Sequence, residues 1–124
     1  MTFFEIYDII KEKGVKYLMD FSDRKFNFEQ YKAIFWAQFD LAEQSDEIGL
    51  AAEKFFDAIH EDVLPLAALV TVLNHKCWYW YDNNDEDLSK IYSDLYYKYN
   101  DNAWDWLEKN GTDEERHWYF ETLD

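Results

Sequence analysis

The sequence predicts an all-α protein: a compact single-domain bundle of five to seven helices. Two observations predict it. Apolar residues recur at spacings of three and four along most of the 124 residues, which is the period of one face of a helix. No stretch of useful length alternates apolar and polar residues, as a half-buried strand would. Three glycines and one proline leave few positions for tight turns.

Aromatic residues are unusually frequent, with ten Phe, ten Tyr and six Trp. A chain with a net charge of −15 and few aromatic residues would be expected to stay disordered. The many rings instead predict a folded chain with an aromatic-rich core. One cysteine, Cys77, permits no internal disulfide, which fits a reducing cytoplasm. The N-terminus lacks the basic and apolar regions of a signal peptide.

Capping residues mark the predicted helix boundaries. Ser, Thr, Asp and Asn accept hydrogen bonds from the first backbone N–H groups of a helix, and Glu three residues later completes a capping box. The predicted starts are Thr2, Asn27, Ser45, Asp62, Glu86 and Thr112. The corresponding ends are about Lys13 (with Gly14 as the stop), Gln44, His60, Tyr81, Gly111 and Thr122. Residues 15–21 are interpreted as a helical turn or packed loop, and residues 22–26 as a polar connection.

The fourth of these helices is predicted to be the central one because it is apolar nearly all round. Its most apolar run, Val63–Leu73, is about half of the ~20 residues that a membrane span needs, so no membrane contact is expected. Pro65 is tolerated in the first turn, where its missing N–H would be unpaired anyway. Near the end, four consecutive rings cover every direction around the helix, so at least one should be exposed or lie at an interface. They are Trp78, Tyr79, Trp80 and Tyr81.

The fifth helix has one apolar side, and the low helix propensity of Asn100-Asp101-Asn102 leaves open whether the helix breaks there. The residues expected to face inward are Leu88, Ile91 or Tyr92, Leu95, Tyr99, Ala103 and Trp106 or Leu107. In the last helix, Trp118, Tyr119 and Leu123 are expected to face inward.

Metal and catalytic sites are weakly supported. His75 and Cys77 are two residues apart and point to different faces of a helix, so Cys77 is interpreted as a buried structural residue. Residues 60–62 offer a histidine and two acids at a helix boundary. The run 82–87 lacks the glycine and glutamate that a calcium loop needs at its sixth and twelfth positions. Scattered glycines exclude a phosphate loop. We therefore expect neither enzymatic activity nor a metal or cofactor.

The segment 82–124 carries thirteen acidic and four basic residues, a net charge of −9. Four of its carboxylates recur every seven residues, which is almost two helical turns, so they share one face about 10 Å apart. A fifth acid lies on the same face. This acidic row consists of Asp87, Asp94, Asp101, Asp105 and Glu108.

The acidic row has two interpretations, and the sequence leaves both open. It is either the solvated outer face of an amphipathic helix or a surface that imitates nucleic-acid phosphates and binds a basic protein. Trp104 and Trp106 are candidate aromatic anchors for such a partner. Direct nucleic-acid binding is not expected, because phosphates are bound by Lys and Arg.

The segment LNHKCWYWYDNNDEDLSKIYSDLYYKYNDNAWDWLEKN resembles small acidic proteins of phages and mobile elements of Gram-positive bacteria, of the anti-CRISPR and anti-restriction type. The resemblance implies a non-enzymatic inhibitor in the cytoplasm of a bacterial host. Its acidic row would occupy the nucleic-acid channel of a Cas effector or restriction enzyme. The alternative is a structural or regulatory protein that forms a homodimer through Trp78–Tyr81, its acidity serving solubility alone.

Overall fold

The computed structural model describes residues 1–13, 26–43, 47–59 and 62–122. Within these ranges the chain forms helices and no strand, which confirms the all-α prediction. The six helices are α1 (Phe3–Lys13), α2 (Phe28–Ala42), α3 (Glu47–Ile59), α4 (Val63–Asp82), α5 (Glu86–Asn110) and α6 (Asp113–Thr122). The predictions for residues 14–25, for the helix ends at Gln44 and His60, and for Leu123 lie outside the described residues.

Five of the six described helices begin where the sequence predicts, whereas the start predicted at Ser45 lies outside the described residues. Asn27 and Gln30 form a complete capping box, in which each side chain accepts the other residue's backbone N–H at 2.9 Å. Thr112 and Glu115 repeat this arrangement at the start of α6. Single cap bonds mark three further starts: Glu5 N–H to Thr2 Oγ1, Leu64 N–H to Asp62 Oδ1 and Leu88 N–H to Asp85 Oδ1.

Helix α4 is the centre of the bundle, as predicted. It packs against α2, α3, α5 and α6, and ten of its first eleven residues are buried. Burial of a Leu or Val side chain contributes roughly 1.5–3 kcal/mol, so this helix contributes much of the hydrophobic stabilisation. Among the described residues, no helix is long and apolar enough to cross a membrane.

Helix α5 runs without a break through Asn100-Asp101-Asn102. Tertiary contacts outweigh the low local propensity there. Tyr99 and Ala103, on either side of the polar triplet, are fully buried, and Asn100 Oδ1 accepts a hydrogen bond from the Tyr119 hydroxyl at 3.1 Å. Of the alternatives on the inner side, Tyr92 is buried whereas Ile91 is 43% exposed.

The core contains both rings and aliphatic side chains. In the part of the chain that the structure describes, the fully buried rings are Phe35, Phe39, Tyr92, Tyr99 and Tyr119. A smaller apolar cluster joins α1 to α2 and consists of Ile6, Ile10, Ala33, Ile34 and Ala37. Helix α1 is therefore attached to the bundle mainly through α2.

Gly111 ends α5 as predicted. Glycine is required there because a side chain would clash with Leu107. Its φ of −80° lies in a region that any residue adopts, so no left-handed cap requires glycine. A Cβ at this position would lie 2.7 Å from the Leu107 carbonyl oxygen and 2.9 Å from Leu107 Cδ2. The tight approach of the chain to α5 excludes a side chain.

Two glycine substitutions should therefore have opposite effects. We expect Gly111→Ala to lower the free energy of unfolding by about 1–3 kcal/mol, because the added methyl overpacks this site. Gly49→Ala, on α3 where a Cβ meets nothing within 4 Å, should raise it by about 0.5–1 kcal/mol. Urea denaturation of both variants measures the difference; equal effects would contradict the steric explanation.

Candidate interaction surface

The residues of the acidic row all lie on the exposed side of α5. Because α5 is uninterrupted, Asp87 and Glu108 are 21 helical steps apart and about 32 Å from each other along the axis, at 1.5 Å per step. The helix period and the inward Tyr92, Tyr99 and Ala103 explain why these carboxylates face outward. The row therefore runs along one side of a single uninterrupted helix.

Lysines share this exposed side. The exposed charged residues of α5 are six acids (the acidic row and Glu86) and three lysines (Lys90, Lys98 and Lys109), a net charge of −3. Lys98 pairs across to Glu53 of α3 at 3.5 Å, with both side chains more than half exposed. Such exposed pairs contribute little to stability. No lysine lies between Lys98 and Lys109, so Asp101, Asp105 and Glu108 form the most uniformly acidic part.

Trp104 and Trp106, the candidate anchors, are half-buried and pack against the main core. The Trp104 ring meets the buried Tyr119 ring edge-on, with 5.3 Å between centroids and an interplanar angle of 90°. This contact helps to hold α6 against α5. The two tryptophans therefore contribute to packing and present only part of their surface to a partner.

The rings at the end of α4 are far more accessible. Trp78, Tyr79 and Tyr81 are 58%, 52% and 62% exposed, whereas Trp80 is half-buried. This confirms the prediction that at least one of the four rings is exposed. Trp78 and Tyr81 lie one turn apart and meet edge to face, with centroids 5.7 Å apart. We call these two side chains the aromatic end of α4.

Helix α6 adds further carboxylates beside the C-terminal end of α5. Asp113 and Glu114 are exposed, and Asp113 pairs with Arg116 at 2.6 Å. Arg116 also donates to the carbonyl oxygens of Leu107 and Gly111 at 2.8 and 2.9 Å. One arginine therefore ties the start of α6 to the last turn of α5.

A buried charged cluster joins α1, α2 and α4, and nothing in the sequence pattern predicts it. Lys76 is 5% exposed and pairs with Asp40 and with Glu43, the latter at 3.3 Å. The Tyr7 hydroxyl donates to Asp40. The Lys76 ammonium also lies 4.9 Å from the centroid of the Trp36 ring. These contacts satisfy the ammonium group, and we assign the cluster a structural role.

The metal and nucleophile candidates are not brought together. His75 is exposed and its ring lies 6.1 Å from that of Trp36. Cys77 is half-buried rather than fully buried, with its Sγ 3.8 Å from Ser89 Oγ. Within the described ranges no three His, Cys, Asp or Glu side chains are grouped to hold a metal ion. His60 and Glu61 lie outside those ranges.

No protein-family model, curated protein or solved structure matches this chain. The resemblance to phage-encoded inhibitors therefore stays a prediction.

Proposed function

We propose that this chain is a non-enzymatic interaction protein of phage or mobile-element origin. Its acidic row would bind a basic surface of a nucleic-acid-handling protein such as a Cas effector. The observation that supports this is the exposure of all five carboxylates along one uninterrupted helix. A row on one continuous helix holds its charges along one line of the surface, and nucleic-acid strands likewise present a regular series of negative charges.

Binding of the acidic row to a basic surface is electrostatically favourable. Carboxylates placed on one face repel one another and destabilise the folded state. A basic partner relieves this repulsion, so part of the binding energy comes from strain present in the free protein. The segment from Asp101 to Glu108, which has three carboxylates and no lysine, is the proposed centre of the interface. Attraction between exposed charges speeds association and weakens as salt is added.

Charge reversal in the acidic row tests this proposal. The variant Asp101→Lys/Glu108→Lys should lower partner affinity by about tenfold or more, because like charges then face each other across the interface. The assay is recovery of a nucleic-acid-handling protein from a nuclease-treated bacterial lysate at low and high salt. Wild-type protein should capture such a partner at low salt and lose it at high salt.

A matched control separates position from total charge. Asp8→Lys/Glu12→Lys changes two exposed acids of α1. Each replacement adds two charge units, so both double variants move the net charge from −15 to −11. The α1 variant should retain binding, and circular dichroism should show equal helix content in both. Equal recovery of the partner by the two variants would refute a role for the acidic row.

Self-association is the second candidate function, favoured by the exposure of Trp78, Tyr79 and Tyr81. In this case the acidity serves solubility alone. Light scattering should then detect a dimer whose population rises with concentration and falls with Trp78→Ala. A protein that remains monomeric at high concentration would exclude this candidate.

A further inference from the structure

We infer that the aromatic end of α4 is the docking site for an arginine side chain on a basic protein partner. This inference rests on the proposed function and supplies it with an anchor. The acidic row would then contribute long-range attraction, and the aromatic end would contribute close contact. The anchor is thus Trp78 with Tyr81 rather than the half-buried Trp104 and Trp106.

The two rings form an open aromatic corner. Trp78 and Tyr81 meet at an interplanar angle of 80°, so the edge of one ring covers only part of the other. Both side chains remain more than half exposed. A flat guanidinium group stacks on such a ring face, and it is less strongly hydrated than an ammonium group. The corner therefore fits arginine better than lysine.

The charges around the corner favour a cation. Asp82 is exposed and follows Trp78 by four residues, which places it beside that ring on the helix surface. The carboxyl end of a helix also carries partial negative charge, which Lys or Arg in the last turn usually offsets. The last turn of α4 contains no base. Backbone N–H groups of residues 83–85 already cap the last carbonyl groups of α4, so a guanidinium on the corner would meet the ring and the Asp82 carboxylate.

The same charges argue against a second copy of this chain as the occupant. Asp82, Asp85 and Glu86 lie within five residues of Tyr81, and a symmetric dimer would bring them close to their own counterparts. Like charges in an interface are unfavourable. A basic partner instead complements both the rings and the acids.

The test compares two synthetic peptides of equal length and charge. In one, arginine residues alternate with glycine; in the other, lysine residues alternate with glycine. Isothermal titration should show that wild-type protein binds the arginine peptide about two- to fivefold more tightly, the gain expected from an exposed cation–π contact. Trp78→Ala and Tyr81→Ala should abolish this preference. Both side chains are exposed, so the variants should keep their fold, which circular dichroism verifies.

Two controls distinguish this inference from the proposed function. Phe120→Ala removes a ring that is 61% exposed on α6 and should leave the arginine preference intact. Asp101→Lys/Glu108→Lys should weaken both peptides equally and keep their ratio. An equal affinity of wild type for the two peptides, or a preference that survives Trp78→Ala, would overturn the docking site. Neither outcome would affect the lysate test of the acidic row.

Discussion

Replacing Lys76 with methionine should lower the free energy of unfolding by about 3–5 kcal/mol, the usual cost of removing one partner from a buried ion pair. Lys76 is almost fully buried, and Asp40 and Glu43 are themselves mostly shielded from water. Without the ammonium group, the two carboxylates face each other in a poorly solvated space. Methionine keeps most of the side-chain volume, so the loss of stability reports the removal of the charge and not the creation of a cavity. Urea denaturation followed by circular dichroism gives the value.

A compensating variant and an exposed-pair control complete this experiment. Asp40→Asn/Glu43→Gln/Lys76→Met removes the unpaired charges and should recover much of the lost stability, since neutral groups cost less to bury. Lys98→Met breaks the exposed pair with Glu53 and should change stability by less than about 1 kcal/mol. A Lys76→Met effect as small as that of Lys98→Met would show that the buried cluster is not stabilising.

The protein should unfold cooperatively in alkaline solution above about pH 10, the ordinary pKa of tyrosine. Burial raises the pKa of Tyr99 to about 12, and burial also raises the pKa of Tyr92 and of Tyr119. Burial, followed by the hydrogen bond to Asp40, likewise raises the pKa of the Tyr7 hydroxyl. Folding therefore favours the protonated form of all four side chains.

The direction of the pH effect follows from these raised pKa values. Below about pH 10 both states hold the phenol protons, and the full stability is present. Above it the unfolded chain loses protons that the folded chain keeps, so stability falls by about 1.4 kcal/mol per pH unit for each tyrosine. Four such groups are enough to unfold a domain stable by about 5–15 kcal/mol within a few pH units.

Ultraviolet absorbance of tyrosinate, recorded together with the helical circular-dichroism signal, checks this expectation. The part of the tyrosinate absorbance that comes from these four tyrosines should change together with the helical signal in one steep transition, on top of the absorbance of exposed tyrosines such as Tyr79, Tyr81 and Tyr97. In Tyr99→Phe the transition should move to higher pH, because one of the four groups is removed. At neutral pH that variant should be no less stable, since the Tyr99 hydroxyl has no hydrogen-bond partner within the described part of the chain. A gradual titration with unchanged helix content would contradict the prediction.

Local signals in the sequence predict most of the fold because they act over short distances. Capping residues such as Asn27 and Thr112 bond to backbone only three residues away, so their partners are visible in the sequence. The continuity of α5 could not be predicted, because it depends on Tyr119, nineteen residues beyond Asn100. The packing of Trp104 likewise depends on where α6 lies.

The candidate interaction surface likewise has features that the local sequence predicts and features that depend on tertiary packing. The helix period alone predicts that the acidic row faces outward, and the structure agrees. Which of the four rings in Trp78–Tyr81 are exposed depends on the positions of neighbouring helices, which no local pattern contains. The pairing of Lys76 with Asp40 joins residues 36 positions apart. The buried charged cluster therefore could not be predicted from local sequence patterns either.

The uninterrupted length of α5 has a consequence for competition with nucleic acid. Duplex DNA carries one charge per roughly 1.7 Å of its axis, so a 32 Å length corresponds to about nineteen phosphates, against five carboxylates in the acidic row. The acidic row thus presents negative charge over this length at a much lower density than DNA does. Its complexes would release fewer condensed ions than nucleic acid bound to the same channel. Rising ionic strength would therefore weaken binding of both to a shared channel, but it would weaken nucleic acid more steeply than this protein.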